Sequence, residues 1–272
     1  MKRIYNWLAQ PANRNLTVAD IIASKGKKKL TQVKVNSAEE AYACGEANID
    51  MIVCAAKEVE MIREGNDEIF LTAALGIPEF PTETDMLKAA FSALSSGADA
   101  VMTARSLSVI SLLANEDIPV MGHLGLVPRK CSWVGGVRAV GKTADEAFEL
   151  FQKFRRLEDA GAFSVEAEVI PARVMQEISK RTGLVTVSLG SGKGGDVIYL
   201  FMEYICGEHE KAPKHARSFG NIFKLNQLIK EERLSALKKF HHSSTVEEYP
   251  SEKEIAKIED NEYESFLKKL DI

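Results

Sequence analysis

Residues 118–143 read IPVMGHLGLVPRKCSWVGGVRAVGKT, and the predicted fold can be built outward from this stretch. A short apolar run, residues 118–121, stops at Gly122 and is followed by a long glycine-rich loop. Such a pattern is typical of a buried parallel strand that leads into a functional loop. Thr143, with a glutamate three residues later, has the spacing of a helix N-cap and capping box. The stretch therefore predicts a strand, a loop and a helix in succession.

His123 lies where this predicted strand ends, which is the place where α/β folds hold their chemistry. Taken alone, the position would be explained better by a histidine that only stabilises the turn through a hydrogen bond. The rest of the chain decides between the two interpretations, because it repeats the same alternation of apolar strand and helix.

Seven apolar segments alternate with helical patterns, which predicts a parallel α/β sheet. Neither a GxGxxG after the first strand nor a GxxxxGK[ST] motif is present, so a nucleotide-binding open sheet is disfavoured. The predicted fold is an α/β (β/α)₈ TIM barrel with its site at the carboxyl ends of the strands. The predicted strands are residues 30–35, 49–56, 69–74, 98–103, 118–121, 163–169 and 184–189.

The composition is that of a soluble globular protein, with 45% hydrophobic and 27% charged residues among 272. The net charge of −4 favours neither a nucleic-acid partner nor a membrane surface. No apolar run approaches the ~20 residues of a membrane span, and the amino terminus lacks a signal-peptide core. The four cysteines are scattered without a CxxC pair, which favours reduced thiols and a cytoplasmic location.

The composition changes after residue 221, where lysine, glutamate and serine dominate and the apolar positions take on helical spacing. The sequence thus predicts two parts, a barrel at residues 1–222 and a C-terminal helical extension at residues 223–272. We expect the extension to pack on the outside of the barrel or on a neighbouring subunit.

Several segments resemble the ketopantoate hydroxymethyltransferase (3-methyl-2-oxobutanoate hydroxymethyltransferase) family. They are VMGHLGLVP at 120–128, GGVRAVGKT at 135–143, LEDAGAFSVEAEVIPA at 157–172 and LGSG at 189–192, within a similarity that covers residues 17–222. The resemblance implies a barrel of the phosphoenolpyruvate mutase and isocitrate lyase type. It also implies a homo-oligomer, which in the family is a decamer built from dimers.

The resemblance further implies a chemistry. In the family, a magnesium ion held by two aspartates chelates the keto acid, and a glutamate takes a proton from C3. The resulting enolate attacks the methylene carbon of 5,10-methylenetetrahydrofolate. Positive charge near the developing enolate oxygen is what allows so weak a carbon acid to ionise. The implied partners are an α-keto acid and, if the family reaction is retained, this folate.

The family's functional residues are only partly present. Its general base falls on Glu168 and its keto-acid-binding histidine on His123, whereas its two metal-binding aspartates fall on Ala56 and Ala74. Alanine has no side-chain oxygen for magnesium. We therefore expect a remodelled, metal-free site.

Basic residues stand near the altered strand ends and could replace the ion. The serine after the family's first aspartate falls on Lys57, which we predict to be a catalytic cation or a Schiff-base lysine. Lys34 and Arg105 are predicted to bind the substrate carboxylate. Glu166 has the same strand parity as Glu168, so it should also face the barrel interior and could pair with one of these cations.

A glycine-rich turn, residues 188–195, follows the last predicted strand. Its backbone N–H groups could hold an anion, so Ser188 is a predicted substrate-binding residue, although a tight barrel loop explains the pattern equally well. Asp196 matches a family aspartate in the same loop and could orient a neighbouring side chain at the site.

The predicted function is that of a ketopantoate hydroxymethyltransferase-like enzyme with Glu168 as the base. It would transfer a hydroxymethyl group to 3-methyl-2-oxobutanoate or carry out a related carbon–carbon bond reaction of an enolate. The alternatives are a lyase or hydrolase acting on another oxo acid, and a catalytically retired barrel used for binding or assembly. In the retired barrel, Lys57 and Arg105 would be solvated and Glu168 would make only interior polar contacts.

Overall fold

Eight parallel strands close into a barrel in the computed structural model of the chain, which describes residues 1–270. An antiparallel hairpin of two short strands precedes the barrel. The strands are β1 (Lys2–Tyr5), β2 (Pro11–Arg14), β3 (Leu30–Lys34), β4 (Met51–Ala55), β5 (Phe70–Ala74), β6 (Ala100–Met102), β7 (Val120–Gly125), β8 (Ser164–Glu168), β9 (Val185–Leu189) and β10 (Val197–Phe201). Strands β3 to β10 pair in chain order, and β10 closes on β3. The TIM barrel predicted from the sequence is therefore confirmed.

Helices connect most of the strands. They are α1 (Val18–Ser24), α2 (Ala38–Glu46), α3 (Val59–Gly65), α4 (Glu83–Ser95), α5 (Leu107–Asn115), α6 (Ala144–Asp159), α7 (Ala172–Ser179), α8 (Met202–Ile205), α9 (Ile222–Thr245) and α10 (Asp260–Leu270). Short 3-10 helices occur at Ala56–Glu58 and Pro128–Val134. Within residues 1–270, β9 is the one barrel strand joined to the next without a helix, because residues 190–196 lead directly to β10.

The predicted start of helix α6 is present. Thr143 is its N-cap, and the Thr143 hydroxyl accepts a hydrogen bond from the Glu146 backbone N–H at 3.2 Å. The Glu146 carboxylate accepts hydrogen bonds from the N–H groups of Gly141 at 2.8 Å and Lys142 at 2.9 Å. Glu146 thereby ties the end of the long loop after β7 to the first turn of the helix.

The barrel has two apolar cores, as strand alternation requires. One lies between the strands and the helices, and it contains Val165 and Ala167 of β8. The other fills the barrel interior, and it contains Leu30 of β3 and Phe70 of β5. Residues two positions away from these interior side chains therefore also face inward.

A buried ion-pair network lies at the amino ends of the barrel strands. Asp99 accepts from the Arg14 Nε at 2.7 Å, from the Arg63 guanidinium at 2.7 Å and from the Leu71 N–H at 2.9 Å. Arg14 is the last residue of β2, so the network connects the N-terminal hairpin with the barrel.

A second compact unit begins at Asn221 and contains α9 and α10. Its helices carry exposed apolar side chains, including Leu225, Leu228 and Leu237. The last two residues of the predicted extension lie outside the described residues, and how the extension packs stays a prediction. No helix within residues 1–270 combines the length and the apolar character that a membrane crossing requires.

Candidate active site

His123, Glu166 and Glu168 form a cluster inside the barrel, at the carboxyl half of neighbouring strands. His123 pairs in register with Glu166, and Gly125 pairs with Glu168, so the alternation of β8 turns both carboxylates toward the β7 histidine. The His123 Nε2 lies 3.0 Å from Glu168 Oε2 and 3.6 Å from Glu166 Oε1. We refer to these three residues as the acid–histidine cluster.

The proton on the imidazole can be assigned from its neighbours. The Nε2 of His123 is close to two groups, the Glu168 carboxylate at 3.0 Å and the Leu126 carbonyl oxygen at 3.2 Å. A carbonyl and an ionised carboxylate can only accept, so Nε2 must carry the proton and donate it. The cluster thus holds a proton between its histidine and Glu168.

Burial and mutual charge shift the titration of the cluster, whose three side chains are only 5–10% exposed. Burial alone would lower the pKa of His123, but the carboxylates of Glu166 and Glu168 outweigh it and the pKa is raised. Burial, together with the charge of Glu168, raises the pKa of Glu166 against the opposing effect of His123. Both groups therefore hold their protons more tightly than they would in water.

Gly125 lets the two strands approach closely at the cluster. Its φ of 88° lies in the left-handed region, and a Cβ at this position would overlap the Glu168 carbonyl oxygen. That carbonyl accepts the Leu126 N–H at 2.8 Å. A glycine is thus required here to bring the ends of β7 and β8 together.

A cavity of about 270 Å³ opens beside the cluster at the carboxyl ends of the strands. His123 lines one part of it, and Ala55, Ala74 and Met102 line the ends of β4, β5 and β6. We call it the mouth cavity. Its position is that of the site in TIM barrels.

The residues at the mouth do not fit the magnesium ion of the resembled family. Ala74 lines the cavity and Ala56 follows β4, and neither offers a side-chain oxygen. Glu79 is the one carboxylate among the lining residues, all of which lie within the described chain, and it is exposed on a loop. No step of the chemistry is therefore assigned to an ion at these positions.

The structure does not bring the three predicted cations to the acid–histidine cluster. Lys57 is exposed in the 3-10 turn Ala56–Glu58. The Lys34 Nζ lies 2.6 Å from Asn36 Oδ1 and 5.8 Å from the centre of the Phe201 ring. Among residues 1–270, His123 is the only basic group within 4.0 Å of either carboxylate of the cluster.

Arg105 supports a loop with its guanidinium. Its two terminal nitrogens donate to the carbonyl oxygens of Phe80 at 2.8 Å and Pro81 at 3.0 Å, and more weakly to that of Ile77 at 3.4 Å. Most of the planar fork that could have received a carboxylate is thereby used. Arg105 thus holds the loop after β5 that borders the mouth cavity.

Ser188 and Asp196 also lie away from the cluster. Ser188 alternates with the inward-facing Val187 and Leu189, and its hydroxyl donates to the Gly192 carbonyl at 2.7 Å. Asp196 precedes β10 at the amino ends of the strands, where its carboxylate accepts from Lys25 Nζ at 2.9 Å. These contacts support the alternative interpretation of residues 188–195, a tight barrel loop.

Three further polar residues of the interior escape the sequence analysis. Tyr199 is 4% exposed, and burial, followed by the charges of Glu166 and Glu168, raises its pKa well above the ordinary value. Gln32 and Thr72 are each 1% exposed and face inward, two positions after Leu30 and Phe70. Strand parity would have found all three, since each is a polar residue at an inward position of its strand.

Solved structures of low sequence identity share this fold. One is 2,3-dimethylmalate lyase, a PEP mutase/isocitrate lyase superfamily member, with a TM-score of 0.53 at 12% identity over 89% of this chain and 92% of that one. Another is phosphonopyruvate hydrolase in complex with oxalate and Mg²⁺, with a TM-score of 0.54 at 12% identity over 88% and 93%. These likenesses show the fold of the chain, which is a TIM barrel.

Comparison of the amino-acid sequence identifies the family of this chain. The ketopantoate hydroxymethyltransferase family model matches residues 55–252. The chain belongs to the ketopantoate hydroxymethyltransferase family, as its motifs predict, and this is a family of enzymes.

Relatives named 3-methyl-2-oxobutanoate hydroxymethyltransferase agree with this assignment. The Pyrobaculum islandicum protein is 34% identical over 141 residues, which span 51% of this chain and only 54% of that relative. The Kosmotoga olearia protein is 27% identical over 261 residues, which span 86% of this chain and 95% of the relative.

Proposed function

We propose that this protein removes a proton from the carbon beside the carbonyl of an α-keto acid and uses the enolate in a carbon–carbon bond reaction. The observation that carries the proposal is the Glu168 carboxylate, held 3.0 Å from the His123 Nε2 beside the mouth cavity. The names of the relatives support 3-methyl-2-oxobutanoate as the first substrate to test.

Glu168 is the proposed general base. It faces inward and lies beside His123, so it can accept a proton from a carbon placed next to the cluster. The carbon–hydrogen bond breaks, its electron pair moves into the enolate, and the proton passes to the carboxylate.

His123 supplies the positive charge that the enolate requires. Its side chain lines the mouth cavity, and its raised pKa favours the positively charged imidazolium, so it can stabilise the developing enolate oxygen. The family's magnesium ion would have had this role. Catalysis by Lys57 remains a separate prediction, since that side chain is exposed outside the cluster.

The fate of the enolate depends on the second substrate. If the family reaction is retained, bound 5,10-methylenetetrahydrofolate supplies an electrophilic methylene carbon. The chain's own contribution is then to form the enolate in an apolar cavity, away from water. A reaction on another oxo acid would use the same first step.

Proton exchange tests this first step without a one-carbon donor. The full chain is incubated with 3-methyl-2-oxobutanoate in D₂O containing EDTA, and loss of the C3 proton is followed by NMR. We expect exchange that Glu168→Gln slows by roughly 10²–10⁴-fold, the usual contribution of a general base. Glu39→Gln, at an exposed glutamate of α2, is the matched control and should exchange like the parent protein.

The other outcomes identify the alternatives. Equal exchange in the parent and Glu168→Gln proteins would assign the base elsewhere. Exchange that needs added Mg²⁺ would contradict the loss of the family's ion site. The absence of exchange under all conditions would contradict the proposed function and favour a different oxo acid or a retired barrel.

A further inference from the structure

Three metal-ligand atoms converge in the barrel interior. The His123 Nε2 and one carboxylate oxygen from each of Glu166 and Glu168 lie within 4.8 Å of one another. Two of these separations are 3.0 Å and 3.6 Å. Ligand atoms bonded to one ion at about 2.0–2.2 Å are separated by similar distances, roughly 3–3.5 Å.

The proton on His123 does not give every side chain of the acid–histidine cluster a hydrogen-bond partner. The Nε2 has one proton, which already has Glu168 and the Leu126 carbonyl as acceptors. Glu166 is 3% exposed, and its carboxylate accepts no hydrogen bond from any residue within the described chain. A largely buried carboxylate that receives no hydrogen bond from the protein can bind an ion or water in the barrel interior.

Other interior groups share this lack of partners. The side-chain oxygen and nitrogen of Gln32 and the hydroxyl of Thr72 are buried without a hydrogen bond among residues 1–270. Both side chains face the same barrel interior as the cluster. They are suited to bind water molecules in the barrel interior.

We propose that His123, Glu166 and Glu168 bind one divalent transition-metal ion, with Zn²⁺ as the probe. An imidazole and two carboxylates suit zinc and its neighbours, whereas Mg²⁺ prefers oxygen ligands in ideal octahedral geometry. Three protein ligands also leave a coordination position open. The site lies on β7 and β8, unlike the family's aspartate positions, which fall at the ends of β4 and β5.

This inference goes beyond the proposed function and constrains it. An ion bound to the His123 Nε2 and to Glu168 displaces the proton on that nitrogen and lowers the basicity of the carboxylate. The His123 Nε2 cannot hold the ion and a proton together, so zinc should inhibit the exchange reaction. Binding is measured independently of catalysis, so the two proposals can fail separately.

Calorimetric titration of the full chain tests the site directly. The protein is stripped of metals with EDTA, dialysed and titrated with ZnCl₂, with MgCl₂ as the comparison. We expect one zinc ion per chain and weaker binding of magnesium. Glu166→Gln should weaken zinc binding by at least about tenfold, because even the hydrogen-bonding partners of metal ligands contribute 10–100-fold.

Matched variants separate this site from others. Glu39→Gln controls for the loss of a carboxylate, and His242→Gln controls for surface histidine, and both should bind zinc like the parent protein. His123→Gln gives an independent loss of a ligand if Glu166→Gln does not fold, which circular dichroism would reveal.

Unchanged zinc affinity in Glu166→Gln and His123→Gln would overturn the proposed site, since the ion would then be bound elsewhere. Zinc binding without any proton exchange in the metal-free protein would support the site and contradict the proposed function. Exchange without zinc binding at the cluster would do the opposite. If both proposals hold, one equivalent of zinc abolishes exchange in the parent protein.

Discussion

Glu166 is a buried ionisable residue in the barrel interior. It is a carboxylate at an inward position of a central strand, 3% exposed, with His123 as its one basic neighbour among residues 1–270. Its ionised form is costly because few interactions replace its hydration. The pKa of Glu166 is raised for this reason, chiefly by burial.

This cost predicts a pH dependence of stability. The folded-state pKa values of Glu166 and His123 are raised above their ordinary values of 4.5 and 6.5. Each group binds its proton more tightly when folded, so its contribution is complete below the ordinary value and is lost as pH rises through the folded value. In EDTA, we expect the free energy of unfolding to fall from about pH 4.5 upward, with a further fall above about pH 6.5.

Urea unfolding between pH 4 and 9 measures this dependence. Glu166→Gln should show a flatter profile than the parent protein, because the variant lacks the ionisable group. A tenfold difference in proton affinity between the folded and unfolded states corresponds to about 1.4 kcal/mol of stability. Parallel profiles for the two proteins would show that Glu166 titrates normally.

The sequence predicts part of the site at the level of residues. Glu168 and His123 can be identified because they stand inside long matching motifs, and the inward direction of Glu166 follows from strand parity. The partner of the Glu166 carboxylate is not predictable from the sequence, because the expected cations do not lie near it in the structure. Arg105 donates to the carbonyls of residues 77–81, a long-range contact that depends on the path of a loop.

At the level of elements, the join between β7 and β8 positions the cluster. Gly125 has a left-handed φ and contacts the Glu168 backbone, whereas Gly135 has φ 80° and open space within 4 Å of the position that a Cβ would take. Gly125→Ala therefore adds a steric overlap to backbone strain, and Gly135→Ala adds strain alone.

We expect Gly125→Ala to lose about 1–3 kcal/mol more stability than Gly135→Ala. Urea unfolding of the two variants measures the difference. Proton exchange should also fall in Gly125→Ala, because the Glu168 backbone must move. Equal losses in the two variants would show that β7 and β8 can separate without cost.

The ion pairs at the amino ends of the barrel strands connect the N-terminal hairpin with the barrel. Asp99 forms ion pairs with both Arg14 and Arg63, and all three side chains are at most 10% exposed. We expect Asp99→Asn to lower the free energy of unfolding by about 3–5 kcal/mol, because two buried guanidinium groups lose their counter-charge.

Asp159→Asn, at the exposed end of α6, is the control and should change stability by less than about 0.5 kcal/mol. A loss in Asp99→Asn as small as in this control would mean that water reaches the two arginines. Chemical denaturation of both variants at neutral pH decides between these outcomes.

Strands and helices are easier to predict from the sequence when more of their residues are buried. Seven of the eight barrel strands are predicted, because most of their residues are buried and apolar, and the N-cap at Thr143 marks α6 correctly. Strand β10 is not among the predicted strands. The hairpin β1–β2 is not predicted, because its short strands are largely exposed and show no period. From the sequence alone, the helix-free connection at residues 190–196 can be interpreted as a turn that binds an anion. Its contacts with β9 favour a tight barrel loop instead.

At the scale of the whole molecule, the scaffold and the chemistry of the family are separable. Strand order and barrel closure depend on apolar residues that lie throughout the chain. The site depends on a few side chains at strand ends, and we predict that several of those differ from the family's residues while the barrel remains. A sequence therefore predicts a barrel of this kind more completely than its reaction.

The apolar lining of the mouth cavity has a thermodynamic consequence. A ligand that enters between Ala55, Ala74 and Met102 transfers hydrocarbon surface out of water. Such burial gives binding a negative heat-capacity change, so the binding enthalpy becomes more favourable as temperature rises. Selectivity at this mouth should then follow the size and branching of the hydrocarbon part of the keto acid.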